Sequence, residues 1–269
     1  MKARILKKVL ACEPRHFQVS YQINPWMQPG TVDQALAGKQ WRNLINALRQ
    51  LQVEVVSIHQ RRDLPDMVFA ADAGWVNGES VYLGNFRFVE RSDEQRSYAG
   101  WFEKNNYTLV RLPENCFFEG GDVVECAGNV FVGTGLRSDR HAVGFLSKKL
   151  KRIYELRLID KNFFHLDTCL FALNDETAFY YPEALAKESI QVLRKLIPHL
   201  YILTKPEAYG FAANSVVTDH HVLIPKGNQI FADRLRKLDY RPIELDVSEF
   251  IKAGGGIHCL LQILKTKHQ

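Results

Sequence analysis

Close to the end of the chain three glycines run into a histidine and a cysteine, Gly254–Cys259 (GGGIHC), and an apolar run follows. A cysteine is a nucleophile as its thiolate, and reaching that form takes a base or a positive charge close by. The stretch FFHLDTCL offers His165 and Asp167, which on a strand would share one face and point into one cavity. FFEGGDVV offers Glu119 and Asp122 around Gly120–Gly121, and the residues around MVFAADAGWV offer Asp66 and Asp72. Taken singly, each reads equally well as ordinary structure: a buried thiol, a satisfied loop histidine, carboxylates flanking a glycine turn. Together they select a substrate. Carboxylates only accept hydrogen bonds, and two of them can grip a planar guanidinium. A bound cation would also lower the pKa of a thiol beside it. The set therefore points to nucleophilic attack at an amidine or guanidine carbon, whereas a peptide-cleaving Cys–His pair needs no ring of carboxylates.

Residues this far apart in sequence must be brought together by the fold. The chain repeats an order of two short strands, a helix and a third strand. MVFAADAGWV and SVYLGNF, a helix over SDEQRSYAGWFEKN and YTLVRL form the first copy. Three more copies follow, beginning at DVVEC, TCLFAL and NSVVT, and carrying helices over SDRHAVGFLSKKL, PEALAKESIQVLRKL and NQIFADRLRKL. The fifth copy is split, with HCLLQIL at the C-terminus and ARILKKVLAC, the helix over VDQALAGKQWRNLINALRQL and VEVVSI at the N-terminus. Such a period predicts a closed α/β ring of ββαβ units completed by the two chain ends, one catalytic domain over residues 1–269. The approach to each first strand points to the ring centre. Those approaches hold Asp66 and Asp72, Glu119 and Asp122, His165 and Asp167, Asn214, and Cys259.

Composition narrows the classes. The 269 residues carry a net charge of +5 with no dense basic tract, which argues against nucleic acid as a partner. No stretch approaches the roughly 20 apolar residues of a membrane span. Lys7 and Lys8 interrupt the N-terminal apolar stretch, so a first strand is expected there instead of a signal sequence. Five scattered cysteines, with no CxxC pair or zinc-ligand spacing, fit a reducing, cytoplasmic setting and no metal.

FEGGD at Phe118–Asp122, HLD at His165–Asp167 and GGGIHC at Gly254–Cys259 occur in an order and spacing that resemble the pentein guanidine-modifying superfamily. That superfamily includes arginine deiminases, dimethylarginine dimethylaminohydrolases and amidinotransferases, and the resemblance covers essentially the whole chain. It implies a five-bladed α/β propeller and a hydrolase needing no cofactor. It implies Cys259 as nucleophile, His165 as general acid/base, and Glu119 and Asp167 as the guanidinium clamp. Asp72 matches a further substrate-binding carboxylate, Asp66 an architectural residue, and Arg91 and Arg137 the arginines that hold a substrate's α-carboxylate; for these two, solvated surface positions are an equally good reading of the sequence. YQINPWM at Tyr21–Met27 resembles the N-terminal stretch of arginine-dihydrolase domains, which typically carry Asn where this chain has Asp72. The implied reaction is hydrolysis of arginine or an N-methylated arginine through a covalent thiouronium, giving a ureido product and ammonia or an alkylamine. Arginine dihydrolase and amidinotransferase chemistry use the same residues. A non-enzymatic pentein of the translation initiation factor six type would have lost them. The substrate is a small guanidino molecule, and the sequence leaves a homo-oligomer open.

Overall fold

The computed structural model describes residues 4–268. Five three-stranded sheets stand around a common axis. In each, the middle strand pairs antiparallel with the first and parallel with the third, and a helix makes the crossover to the third. The closing blade joins Leu261–His268 to Arg4–Cys12 and Glu54–Ile58, so both chain ends share one sheet. In chain order, the other first strands are Gly74–Asn77, Val123–Cys126, Leu170–Ala172 and Val216–Thr218. The fold is the ring of ββαβ units that the repeat predicts.

The helices lie outside the ring, and their sequence period decides which face turns inward. Gln34–Gln50 buries Ala37, Leu44, Ile45 and Leu48, and the Asp33 side chain caps its start by accepting from Leu36 N–H. Apolar side chains between blades fill the rest. Phe179 and Phe231 meet edge to face at 5.1 Å in the largest cluster, which spans the blades that begin at Val123, Leu170 and Val216. The five first strands surround an axial cavity of about 1240 Å³.

The sequence reading needs correction at the approaches to the first strands. Met67–Val76, expected as a continuous strand, folds as two 3-10 turns, Pro65–Val68 and Ala70–Ala73, and the strand begins only at Gly74. Phe69 N–H donates to Asp66 O at 2.9 Å and Asp72 N–H to Phe69 O at 3.1 Å, so local bonds use donors a ladder would need. Leu166–Thr168 and His258–Leu260 are likewise turns. His165 and Asp167 thus do not meet by strand alternation; a turn places both. The helix expected from Pro182 starts at Lys187, after a separate turn over Pro182–Ala184.

Candidate active site

The turns that lead into the first strands converge where the axial cavity ends and deliver Asp72, Glu119, His165, Asp167 and Cys259 there. Arg91 and Arg137 reach the same place from segments that follow a second strand, the short helix Val89–Ser92 and the loop after Asn129–Thr134. The turns pack so closely that side chains are excluded at two key points. A Cβ on Gly121 would lie 2.6 Å from Asp72 Oδ1 and 3.0 Å from His165 Nδ1. Gly254 has φ +86° and lies against Phe164 and Asn24, so the backbone can cross the ring centre before Cys259.

Cys259 is buried, and Asn214 holds it from both ends. Asn214 Oδ1 accepts from Cys259 N–H at 3.1 Å and Gly256 N–H at 3.0 Å, while its Nδ2 donates to Cys259 Sγ at 3.1 Å. Asp167 Oδ2 lies 3.5 Å from the same sulfur and 2.8 Å from His258 Nδ1. Asp167 Oδ1 is buried without a hydrogen-bond partner. Burial drives the Cys259 thiol well above its ordinary pKa, and Asp167 and Asp72 add to the rise. Without further positive charge the sulfur is a thiol.

Across the site the charges are paired. Arg91 Nη1 donates to Asp72 Oδ2 at 2.6 Å, and its Nε and Nη2 reach the two Glu94 carboxylate oxygens, both at 2.9 Å. Arg137 Nη1 donates to Glu119 Oε2 at 3.0 Å, and its guanidinium stacks between the Phe88 and Phe164 rings, 4.9 and 4.7 Å from their centres. His165 Nε2 sits 3.0 Å from Glu119 Oε2, and its Nδ1 lies 3.4 Å from Asp72 Oδ1. Burial would strip the His165 ring of its proton, but Asp72, Asp122 and Glu119 overcome it and raise the pKa to about 9. Burial opposes ionisation of Glu119 too, yet Arg137 and His165 hold its carboxyl well below the usual range. Asp122 accepts from Ser138 N–H and Leu166 N–H and is pushed up to about 7, chiefly by burial.

The seven sequence candidates therefore lie in one buried cluster: Cys259, His165, Glu119, Asp72, Asp167, Arg91 and Arg137. The two arginines are not solvated. Arg91 is saturated by protein acceptors, including Asp66 O, whereas Arg137 keeps its buried Nε unpartnered. Asp66 is buried beside them, below its backbone contact with Arg91.

Four further residues belong to the site. Asn214 and His258 frame the sulfur, Glu94 fixes Arg91, and Asn24 ties the N-terminal segment down by donating to Ala253 O at 3.0 Å. The Glu94 signal lay in the helix period, since Glu94, Tyr98 and Phe102 share one buried face. One ligand atom each from Asp72, Glu119 and His165 fall within 4.8 Å of one another, a spacing that could hold a metal ion. Arg91 and Arg137 already pair those two carboxylates, which makes guanidinium, not metal, the cation built into this corner.

A family model described as N,N dimethylarginine dimethylhydrolase, eukaryotic, matches residues 14–265. An N(G),N(G)-dimethylarginine dimethylaminohydrolase from Mycobacterium tuberculosis is 34% identical, over 91% of this chain and 82% of its own. The bifunctional arginine dihydrolase/ornithine cyclodeaminase ArgZ from Synechocystis sp. is also 34% identical over 94% of this chain, which spans 37% of that protein's length. The crystal structure of the N-terminal domain of ArgZ, in an asparagine-to-serine variant covalently bound to a reaction intermediate, superposes with a TM-score of 0.93. It is 33% identical and covers 96% of this chain and 97% of its own.

Proposed function

The chain belongs to the dimethylarginine dimethylaminohydrolase family, and from that premise we propose that it is a hydrolase of arginine or an N-methylated arginine, with Cys259 as the nucleophile. One observation carries the reading: Asp167 is a buried carboxylate with no arginine or lysine against it and with Oδ1 unpartnered, set 3.5 Å from a buried sulfur. Six buried carboxyl groups here (Asp66, Asp72, Glu94, Glu119, Asp122, Asp167) share two arginines, Arg91 and Arg137, and two histidines, His165 and His258. The shortfall of positive charge is what a guanidinium substrate supplies.

That same cation activates the nucleophile. A guanidinium beside Cys259 favours the thiolate, with Asn214 Nδ2–H already aimed at the sulfur. The thiolate forms a C–S bond with the guanidinium carbon. The C–N bond to the departing amine then breaks, and His165, protonated at neutral pH, gives that nitrogen its proton. The thiouronium left on Cys259 is attacked by water, whose proton returns to His165, and the thiolate departs from a ureido product. Glu119 holds the His165 ring, and Arg137, with Nε unpartnered, has the donor capacity for the substrate's α-carboxylate.

The likeness to ArgZ favours a second reading, arginine dihydrolase activity, in which the ureido nitrogen is removed as well. Asp72 supports a single hydrolysis instead: its carboxylate is fixed by Arg91 and offers Oδ1 as an acceptor, where an amide would present a donor. Incubation with arginine, methylated arginines, agmatine and citrulline, with mass analysis of products, decides between them. One ammonia or alkylamine per ureido product is expected; two ammonia per ornithine would establish the dihydrolase reading.

A further inference from the structure

Asp167 is the carboxylate that lacks an arginine, yet it must keep its orientation if it is to meet a guanidinium. Its neighbours show how. Its backbone carbonyl is fixed by Asn214 Nδ2 at 3.3 Å, which leaves the side-chain torsions free. On the carboxylate, Oδ2 faces the Cys259 thiol and the His258 ring nitrogen at 2.8 Å, and Oδ1 stands buried without a partner. A thiol is a weak donor, so the imidazole N–H is the strong bond that sets the plane of the carboxylate. The ring reaches Asp167 from behind. His258 is 22% exposed where the side chains of the functional cluster are nearly all buried, and both His258 and Asp167 line the axial cavity. The backbone is committed as well, since His258 N–H donates to Asn214 O at 3.1 Å. Cys259 and His258, adjacent in sequence, therefore approach one carboxylate from two sides.

We propose that His258 is a positioning residue: its Nδ1–H holds Asp167 Oδ2 from the axial-cavity side, so that Oδ1 is presented to the substrate guanidinium. The inference rests on the reading of Asp167 as part of the guanidinium clamp. It separates two jobs within the HC pair, attack by Cys259 and alignment of the clamp by His258. Asparagine can place its amide N–H close to where Nδ1–H lies, whereas alanine offers no donor, so the two variants distinguish a hydrogen bond from mere volume.

The test is steady-state kinetics of the full-length protein on whichever of arginine and N-methylarginine it turns over best, with thermal melting alongside. His258→Ala is expected to raise KM by about tenfold or more, the scale of one lost charge-assisted hydrogen bond, with a smaller change in kcat. His258→Asn is expected to return KM to within a few-fold of the original. Wild-type KM in His258→Ala, or equal impairment of the alanine and asparagine variants, would overturn the positioning role. Asp167→Ala separates this from the underlying reading. If Asp167→Ala leaves KM unchanged, Asp167 is no clamp and both fall; if it raises KM while His258→Ala does not, only the role of His258 falls. Should His258→Ala melt far below the original, the asparagine variant, which keeps the donor, carries the comparison: a KM that stays as high as in Asp167→Ala contradicts the proposal.

Discussion

The site has two halves that solve the same electrostatic problem in opposite ways. In the blades that begin at Gly74 and Val123, Asp72 and Glu119 are each paired with a buried arginine, Arg91 and Arg137. In the blades that begin at Leu170 and Val216 and in the closing blade, Asp167, Asn214 and Cys259 meet with no arginine among them. The turns are equivalent by the repeat, so the difference lies in what each carries and what faces it. Burying a carboxylate alone is costly, and pairing it with guanidinium offsets much of that cost. The arginine-paired half has its carboxylates compensated within the protein and holds His165 charged. The arginine-free half is left for a cation from outside, and it is the half that contains the sulfur.

If that division is right, breaking the arginine-free half should cost activity and little stability. Cys259→Ser should fold with a near-original melting temperature and lose turnover almost entirely, since a serine hydroxyl there has no comparable activation. Retention of the original rate would remove the covalent mechanism. His165 bridges the halves, and His165→Ala should lower kcat by about 10² to 10⁴, the usual contribution of general acid–base assistance. A variant that turned over normally but bound weakly would make His165 an orienting group.

Breaking the arginine-paired half should show first in stability. Glu94→Gln leaves the Arg91 charge less compensated in a fully buried position, a class of change that costs about 3–5 kcal/mol. Chemical denaturation reads it, and an unchanged midpoint would mean that Arg91 is held by Asp72 alone. Asp72→Asn should weaken guanidinium binding by about 1–3 kcal/mol, seen as a raised KM. If Asp72 serves only Arg91, KM stays and stability alone drops.

The smallest effect is on pH. His165 is raised to about 9, and Asp122 and Glu94, both chiefly by burial, to about 7. A group whose pKa is raised on folding stabilises fully below its unfolded value, and that contribution is lost as pH rises through the folded one. Melting temperature should therefore decline from about pH 4 to about 7 as Asp122 and Glu94 ionise, and from about 6.5 to about 9 as His165 loses its proton. His165→Ala should abolish the upper part of the decline; its persistence there would place the titration elsewhere.

The ring was legible because each blade repeats the same order of elements and because the strands at the two chain ends complete one another. The identities at the site were legible for a similar reason: Asp72, Glu119, His165 and Cys259 occupy corresponding approaches to first strands. The path of the backbone there was not. AADAG and FHLDT look like strand starts because apolar residues flank them, yet i to i+3 bonds bend both into turns. Pairing was also hidden. Nothing local in VERSDE shows that Arg91 turns back onto Glu94 and across to Asp72, since that geometry depends on the neighbouring blade. Asn214 could be placed at the ring centre, but not its grip on the sulfur, because an amide gives no sign in sequence of which partner it will find.

The covalent step is open to direct observation. The protein is mixed with a large excess of arginine or N-methylarginine, quenched in acid during turnover, digested and mapped by mass spectrometry. The expected result is an amidino-substrate adduct, the mass of the substrate less its departing amine, on the peptide that contains Cys259 and on no peptide containing Cys12, Cys116, Cys126 or Cys169. Steady product formation with Cys259 unmodified at every quench time, together with product formation by Cys259→Ser at the original rate, would contradict it.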